Sequence, residues 1–378
     1  MKALLMVAAL GVATPAAAAD AVREQAGSLA DGTPIEAVTL KNAHGIEARV
    51  ITYGATLQSL KAPDRKGVVA EVTLGYDSAT DYEAKPNYFG VTVGRYANRL
   101  AAGRFSLDGH DFQLPQNNNG NSLHGGTVGF DKRSWRIVSV SSGPIARVVM
   151  ALTSSDGDQG YPGKLEVTVT YSLDDGGDLA IAYDASSDKP TVVNMTNHAL
   201  FNMAGDGAPE GTSRHMLTIP AQTYTPVGPT LIPTGELRPV AGTVFDFRTP
   251  RLVALGLRDG RDQQIVTGRG YDHNFALDKG QTATPQLAAR LEDPVSGRVL
   301  EVLSTEPGVQ FYTGNFLDGT VAGRSGRIYR MGDGIALEPQ KFPDAPNQAS
   351  FASARVDPGK PYRHVMIYRL STSPDPAN

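Results

Sequence analysis

The chain has 378 residues, of which 41 are glycine and 25 proline, a punctuation too dense for a helical bundle and suited to many short strands joined by turns. With 35 basic and 39 acidic side chains the net charge is −4, a mildly acidic balance unlike that of a nucleic-acid binder, which needs a basic stripe. The chain contains no cysteine, so disulfides, thiolate metal sites and cysteine nucleophiles are excluded, while 40% hydrophobic residues against 20% charged support a sizeable core.

In chain order, Lys2, the apolar run from Ala3 to Val12, Pro15 and then Ala17-Ala18-Ala19 ahead of Asp20 have the layout of a secretory leader. Residues 1–19 are expected to be removed, leaving 20–378 as a single domain. That domain is expected in the periplasm, with no membrane insertion after cleavage, because no later stretch approaches a transmembrane length. Strand-like runs follow at Glu47–Ile51 and Glu71–Leu74, and Asp77–Tyr82 can hold a helical turn. Further strands are expected at Trp135–Val140 and Arg147–Leu152.

The most legible strand is Leu165–Leu173, where Leu165, Val167, Val169, Tyr171 and Leu173 alternate with polar residues without a miss. Asp174-Asp175-Gly176-Gly177 then supplies turn chemistry and Leu179–Tyr183 returns, which is a hairpin pattern. Met216–Ile219, Val299–Ser304, Gln310–Gly314 and Arg363–Leu370 continue the series, and Pro250–Leu257 is the best candidate for a short helix. No repeat and no composition break divides the chain. The fold class expected is all-β, one large antiparallel β-sandwich.

Common catalytic designs are missing. Gly157, Gly160 and Gly163 precede Lys164, but residue 165 is Leu, so this is not a phosphate-cradling loop, and no G-x-S-x-G elbow occurs. The histidines, His44, His110, His124, His198, His215, His273 and His364, never pair at i, i+4, and no metal site or cofactor is expected. Polar residues of catalytic type gather instead beside strand-like sequence. They are Gly94-Arg95-Tyr96-Ala97-Asn98-Arg99, Asn119–Gly126 with Leu123-His124-Gly125-Gly126, Asp156–Gly163, Thr196-Asn197-His198, Tyr271-Asp272-His273-Asn274 and Leu337-Glu338-Pro339-Gln340. Taken singly, each has an ordinary reading as a turn, a cap or a hydrogen-bonded core residue. Together with Gln310 they supply amides, a guanidinium, imidazoles and carboxylates with few lysines, a set suited to a neutral polyhydroxylated ligand.

In these motifs, and in Glu306-Pro307-Gly308-Val309-Gln310-Phe311-Tyr312-Thr313-Gly314-Asn315, the sequence resembles the aldose 1-epimerases (galactose mutarotases), from about Gly32 to Leu370 and in matching order. The resemblance implies a galactose mutarotase-like supersandwich with the sugar in an open groove, and anomer interconversion of a free aldohexose without metal or nucleotide. It also implies that Glu338 is the general base on the anomeric hydroxyl and His198 the general acid on the ring oxygen. Asn98, Arg99, His124, Asp272 and Gln310 fall on the positions that bind sugar hydroxyls. Two departures stand out: Leu200 replaces an aromatic usual two residues after the catalytic His, and Asp158-Gln159 replaces a commonly Glu-rich stretch.

Ring opening moves one proton off O1 and one onto O5, so an acid and a base must act together. Unperturbed pKa values leave a Glu ionised at neutral pH, and a nearby carboxylate can hold a His protonated, so the expected starting pair is imidazolium and carboxylate. Asp272 is a candidate to raise the pKa of His198 or His124. Phe89, Phe130, Tyr161, Phe201, Phe275 and Phe316 are candidates for a hydrophobic floor. The expected partner is a small monosaccharide, the expected assembly a monomer or weak dimer. Competing readings are an epimerase tuned to a pentose, uronate or hexose 6-phosphate, a glycoside hydrolase using Asp272 and Glu338, and a non-catalytic carbohydrate-binding module.

Overall fold

The computed structural model describes residues 19–375. The expected leader lies outside the described residues except for Ala19, which is buried and exchanges backbone hydrogen bonds with Gly143. Among the described residues no helix is long and apolar enough to cross a membrane.

The expected all-β sandwich is the observed fold. A nine-stranded sheet runs in the order Arg136–Ser141, Ile145–Ser154, Leu165–Asp174, Asp178–Ser187, Tyr362–Thr372, Arg298–Ser304, Gln286–Glu292, Met216–Thr218 and Arg251–Leu252. The hairpin joins Leu165–Asp174 to Asp178–Ser187 with Leu173 opposite Leu179. Val167, Val169 and Tyr171 are buried while the residues between them are partly open, as strict alternation demands.

Two further sheets share one core with this face. A five-stranded sheet is built from Asp20–Ser28, Pro34–Lys41, Glu47–Ile51, Thr56–Pro63 and Val69–Glu71, and it contributes Val38, Leu40, Val50, Leu57 and Leu60. A six-stranded sheet, ordered Leu200–Phe201, Ile335–Gln340, Gly308–Tyr312, Asp272–Ala276, Thr223–Tyr224 and Arg238–Pro239, contributes Phe201, Tyr224, Phe275, Val309, Phe311 and Leu337. The strand expected at Glu71–Leu74 is displaced, because pairing with Lys61–Pro63 ends at Glu71 and Thr73 forms an isolated bridge to Phe201.

The helices are small. Ser78 caps Ala79–Ala84 by accepting from the Asp81 N–H, and the expected Pro250–Leu257 helix shrinks to Ala254–Leu257 because Arg251–Leu252 is drawn into the large sheet. A helix the sequence pattern did not announce, Gln263–Gly268, is capped by Asp262 and leads directly into the site.

Candidate active site

The six-stranded sheet has two unlike faces, and register decides which residue lies on which. Asn274 stands opposite Gln310, and Gln310 opposite Glu338, so these side chains form one cross-strand row. The adjacent row runs from Asp272 through Tyr312 and Ala336 to Leu200. Residues one step along each strand, Phe275, Val309, Phe311 and Leu337, point the other way into the core. Period two thus makes one sheet apolar beneath and polar above.

Above that polar face lies a cavity of about 410 Å³ whose wall includes Asn98, Arg99, His124, His198, Asp272 and Glu338. His198 is delivered by a clamped segment: its N–H donates to the Val91 carbonyl at 2.9 Å, and its carbonyl accepts from the Gly90 N–H at 3.0 Å. Behind it, the fully buried Asn197 amide donates to the Gly90 carbonyl at 2.7 Å and accepts from the Ala199 N–H at 3.1 Å. Asn197 in the Thr196-Asn197-His198 motif is therefore an anchor for the imidazole. His198 Nε2 lies 3.7 Å from Glu338 Oε1, both side chains almost wholly buried. Glu338 Oε2 and His198 Nδ1 have no hydrogen-bond partner among the described residues.

The other wall comes from the Arg99–Leu100 and Ser122–Leu123 ladder. Asn98 and His124, at its ends, both adopt left-handed backbone with φ of 63° and 52°. Gly125 follows with φ of +90°, where a Cβ would lie 1.9 Å from the Gly94 carbonyl oxygen, so only glycine fits. Arg99 Nη1 reaches Asp272 Oδ2 at 3.6 Å, and its Nε donates to Asn118 Oδ1 at 3.2 Å.

Gln310 does not line the cavity. It is buried behind Asp272, donates to Asp272 Oδ1 at 2.7 Å and receives a long bond of 3.5 Å from Gln340. Its place is that of a support for Asp272 rather than a wall of the groove. The lining also holds groups for which the sequence suggested no role, among them Arg269, Tyr88, whose ring packs 4.7 Å from His124 and 5.7 Å from His198, and Tyr312, 6.3 Å from His198. Tyr88 sits at φ 59°, a conformation that composition does not reveal. Of the aromatics considered for a floor, Phe130, Phe201 and Phe275 belong to the main core, and Phe89 packs on Tyr76 and Tyr329. Tyr161 is fully buried in a smaller cluster, and Phe316 lies in the cavity wall, half exposed. Leu200 also lines the cavity. Asp156–Gly163 is structural, since the Pro162 and Gly163 carbonyls each accept from the buried Arg95 at 2.9 Å.

Burial overturns the expected protonation states. It pushes the His198 imidazole down to about 4 and the Glu338 carboxyl well above its usual range, with Asp272 adding to the rise. The free enzyme therefore favours a neutral imidazole beside a protonated carboxyl. Either arrangement keeps one proton on the pair. Asp272 does not raise either histidine; burial lifts its own pKa against the pull of Arg99, and burial, His198 and Arg99 together hold His124 low.

His124, His198 and Glu338 place potential ligand atoms within 4.8 Å of one another, so a metal has to be considered. The donor set does not suit it. His124 Nδ1 already accepts from the Asn98 N–H at 3.2 Å, which puts the proton of the neutral ring on Nε2 and leaves a donor, not a lone pair, toward the cavity. Such a wall serves hydroxyl groups, offering donors at His124 and Arg99 and acceptors at Asp272 and Glu338.

A sequence model of the aldose 1-epimerase family matches residues 36–369. The chain belongs to the aldose 1-epimerase family. It is 46% identical over 324 residues to the galactose mutarotase of Rattus norvegicus, covering 86% of this chain and 91% of the other. It is 40% identical over 342 residues to the aldose 1-epimerase of Escherichia coli K12, covering 90% and 96%. Among solved structures, galactose 1-epimerase from Lactobacillus acidophilus superposes with a TM-score of 0.80 at 29% identity, over 94% of this chain and 99% of that one. The enzyme is a carbohydrate isomerase that interconverts the α and β anomers of aldoses.

Proposed function

We propose that His198 and Glu338 carry out this interconversion on free aldohexoses such as glucose and galactose, by general acid–base opening and reclosure of the pyranose ring. The observation that carries the assignment is the 3.7 Å approach of His198 Nε2 to Glu338 Oε1 in the cavity wall, with Glu338 Oε2 left without a partner. That gap is too long for a direct hydrogen bond and leaves the pair free to meet the sugar. On binding, sugar hydroxyls supply hydrogen bonds to Glu338, and the carboxyl proton passes through one of them to His198. Glu338 then takes the proton from the anomeric O1 while His198 gives its proton to O5. The C1–O5 bond breaks and C1=O1 forms. After rotation about C1–C2, O5 attacks the other face of the aldehyde and both protons return.

Asp272, Arg99, His124 and Asn98 hold the hydroxyls, and Gln310 steadies Asp272. A glycoside hydrolase built on Asp272 and Glu338 is less well supported, because Asp272 already accepts from Gln310 and faces Arg99, and so is poorly placed to act as a nucleophile. Export to the periplasm and action as a monomer or weak dimer complete the proposal, the first supported by the leader pattern of residues 1–19. Fractionation of cells expressing the full chain, with N-terminal sequencing, checks export.

Polarimetry on freshly dissolved α-glucose and α-galactose tests the chemistry. Glu338→Gln and His198→Asn are each expected to lower the catalysed rate by about 10²–10⁴-fold while sugar affinity is largely kept. Unchanged rates in both variants would refute the assignment.

A further inference from the structure

We propose that Arg269 makes the mouth of this cavity a recognition point for a carboxylate, so that the enzyme turns over uronic acids, aldoses oxidised at C6, as well as neutral sugars. The inference rests on the aldose 1-epimerase reading of the site. Arg269 lines the same cavity as His198 and Glu338. The wall's other guanidinium, Arg99, is engaged by Asp272 and Asn118. The Arg269 guanidinium makes no ion pair or hydrogen bond among the described residues.

It is held in place from below. The guanidinium lies 5.6 Å over the Phe316 ring, and Phe316 stacks on Tyr312 at 6.1 Å with an interplanar angle of 20°. Tyr312 belongs to the same sheet row as Asp272, and its hydroxyl accepts from the Phe316 N–H at 3.0 Å. The Tyr312–Phe316 pair thus links the sheet that carries Glu338 to the Arg269 guanidinium in the cavity wall. A guanidinium engaged through a ring face leaves N–H groups free for a bidentate acceptor.

The backbone tells the same way. Arg269 closes the Gln263–Gly268 helix in left-handed conformation, at φ 56° and ψ 29°, a position where glycine is the favoured residue. Glycines flank it on both sides, so the arginine is the one side chain this turn carries, and it lies in the cavity wall. A single fork matches one carboxylate in charge and geometry, whereas a phosphate dianion calls for a denser cationic cluster than this mouth contains. The carboxylate is a spectator: the bonds made and broken at C1 and O5 are the same as for a neutral hexose.

The test compares α-galacturonate with α-galactose by polarimetry at neutral pH, in the wild-type enzyme and in Arg269→Gly. Glycine suits the left-handed backbone, so the variant is expected to fold, which its melting temperature checks. The wild type is expected to accelerate both sugars. In Arg269→Gly the ratio of kcat/KM for galacturonate to that for galactose is expected to fall tenfold or more, mainly through KM. In the wild type, raising the salt is expected to raise KM for galacturonate and leave that for galactose, since an exposed ion pair is screened. An unchanged ratio in the variant, or wild-type acceleration of galactose without galacturonate, overturns the proposal. Failure to accelerate galactose would overturn the underlying reading instead.

Discussion

Asn98 and His124 hold each other through a closed pair of hydrogen bonds: the Asn98 N–H donates to His124 Nδ1 at 3.2 Å, and the His124 N–H donates to the Asn98 carbonyl at 3.1 Å. A backbone N–H cannot be reversed, so it fixes the tautomer of a neutral imidazole and aims an Nε2–H at the cavity. Nitrogen-15 shifts of His124 are expected to show that tautomer at neutral pH. His124→Phe keeps the ring volume but not the donor, and kcat/KM is expected to fall by about tenfold to a hundredfold, the worth of one hydrogen bond to a charged or developing-charge partner. Prolonged dialysis against EDTA is expected to leave the rate unchanged, and a loss restored by zinc would contradict the tautomer argument.

Gln310 acts through Asp272. In Gln310→Leu, Asp272 Oδ1 loses its 2.7 Å donor in a buried setting, which is expected to cost about 1–3 kcal/mol of stability. With Asp272 free to rotate or to take up a proton, KM is expected to rise by roughly tenfold, and kcat to change less. Denaturant titration and steady-state kinetics on the same preparation separate the two effects.

His273 provides a stability signal outside the proposed reacting pair. It is fully buried, accepts from the Asp272 N–H through Nδ1 at 3.1 Å, and burial alone pushes its pKa down to about 3 from an ordinary 6.5. A depressed folded-state value means that the unfolded chain takes up the proton first as pH falls. The ring's contribution is therefore full above about 6.5 and lost progressively toward 3. His273→Phe is expected to be less stable than wild type at pH 7, and the gap to narrow by about 1.4 kcal/mol per pH unit as the solution is acidified below the unfolded pKa. A gap independent of pH would mean that the imidazole titrates normally.

Lys341 and Glu306 form a buried ion pair at 2.8 Å beside the strand that carries Glu338, both side chains at most 5% exposed. Lys341→Met strands the carboxylate and is expected to destabilise the protein by about 3–5 kcal/mol. The double variant Lys341→Met/Glu306→Gln is expected to recover much of that loss in thermal unfolding, because a neutral pair needs no countercharge.

The all-β class was legible because Leu165–Asp174 and its partner carry an unbroken period of two, and register in a half-buried sheet follows from it. Glu47–Ile51 is another strand whose pattern and pairing coincide. Ile335–Gln340 is harder to read by pattern: all its residues are buried, Glu338 and Gln340 included, and the alternation of Leu337 and Pro339 with Glu338 and Gln340 spans only four residues. The helix Gln263–Gly268 was missed because its six residues are too few to show a helical repeat, and Asp262 was the only local cue.

The resemblance of the motifs to a known family was enough to group His198, Glu338, Asn98, Arg99, His124 and Asp272, and all six line one cavity. Tertiary structure decided where each lies and in what environment. Gln310 supports Asp272 because strand register sets it one row behind, Tyr88 enters the wall through a left-handed turn, and the expected charges on His198 and Glu338 are both disfavoured because burial penalises each ion. Chemical identity is written in the chain, whereas exposure, distance and desolvation exist only once segments far apart in sequence have been brought together.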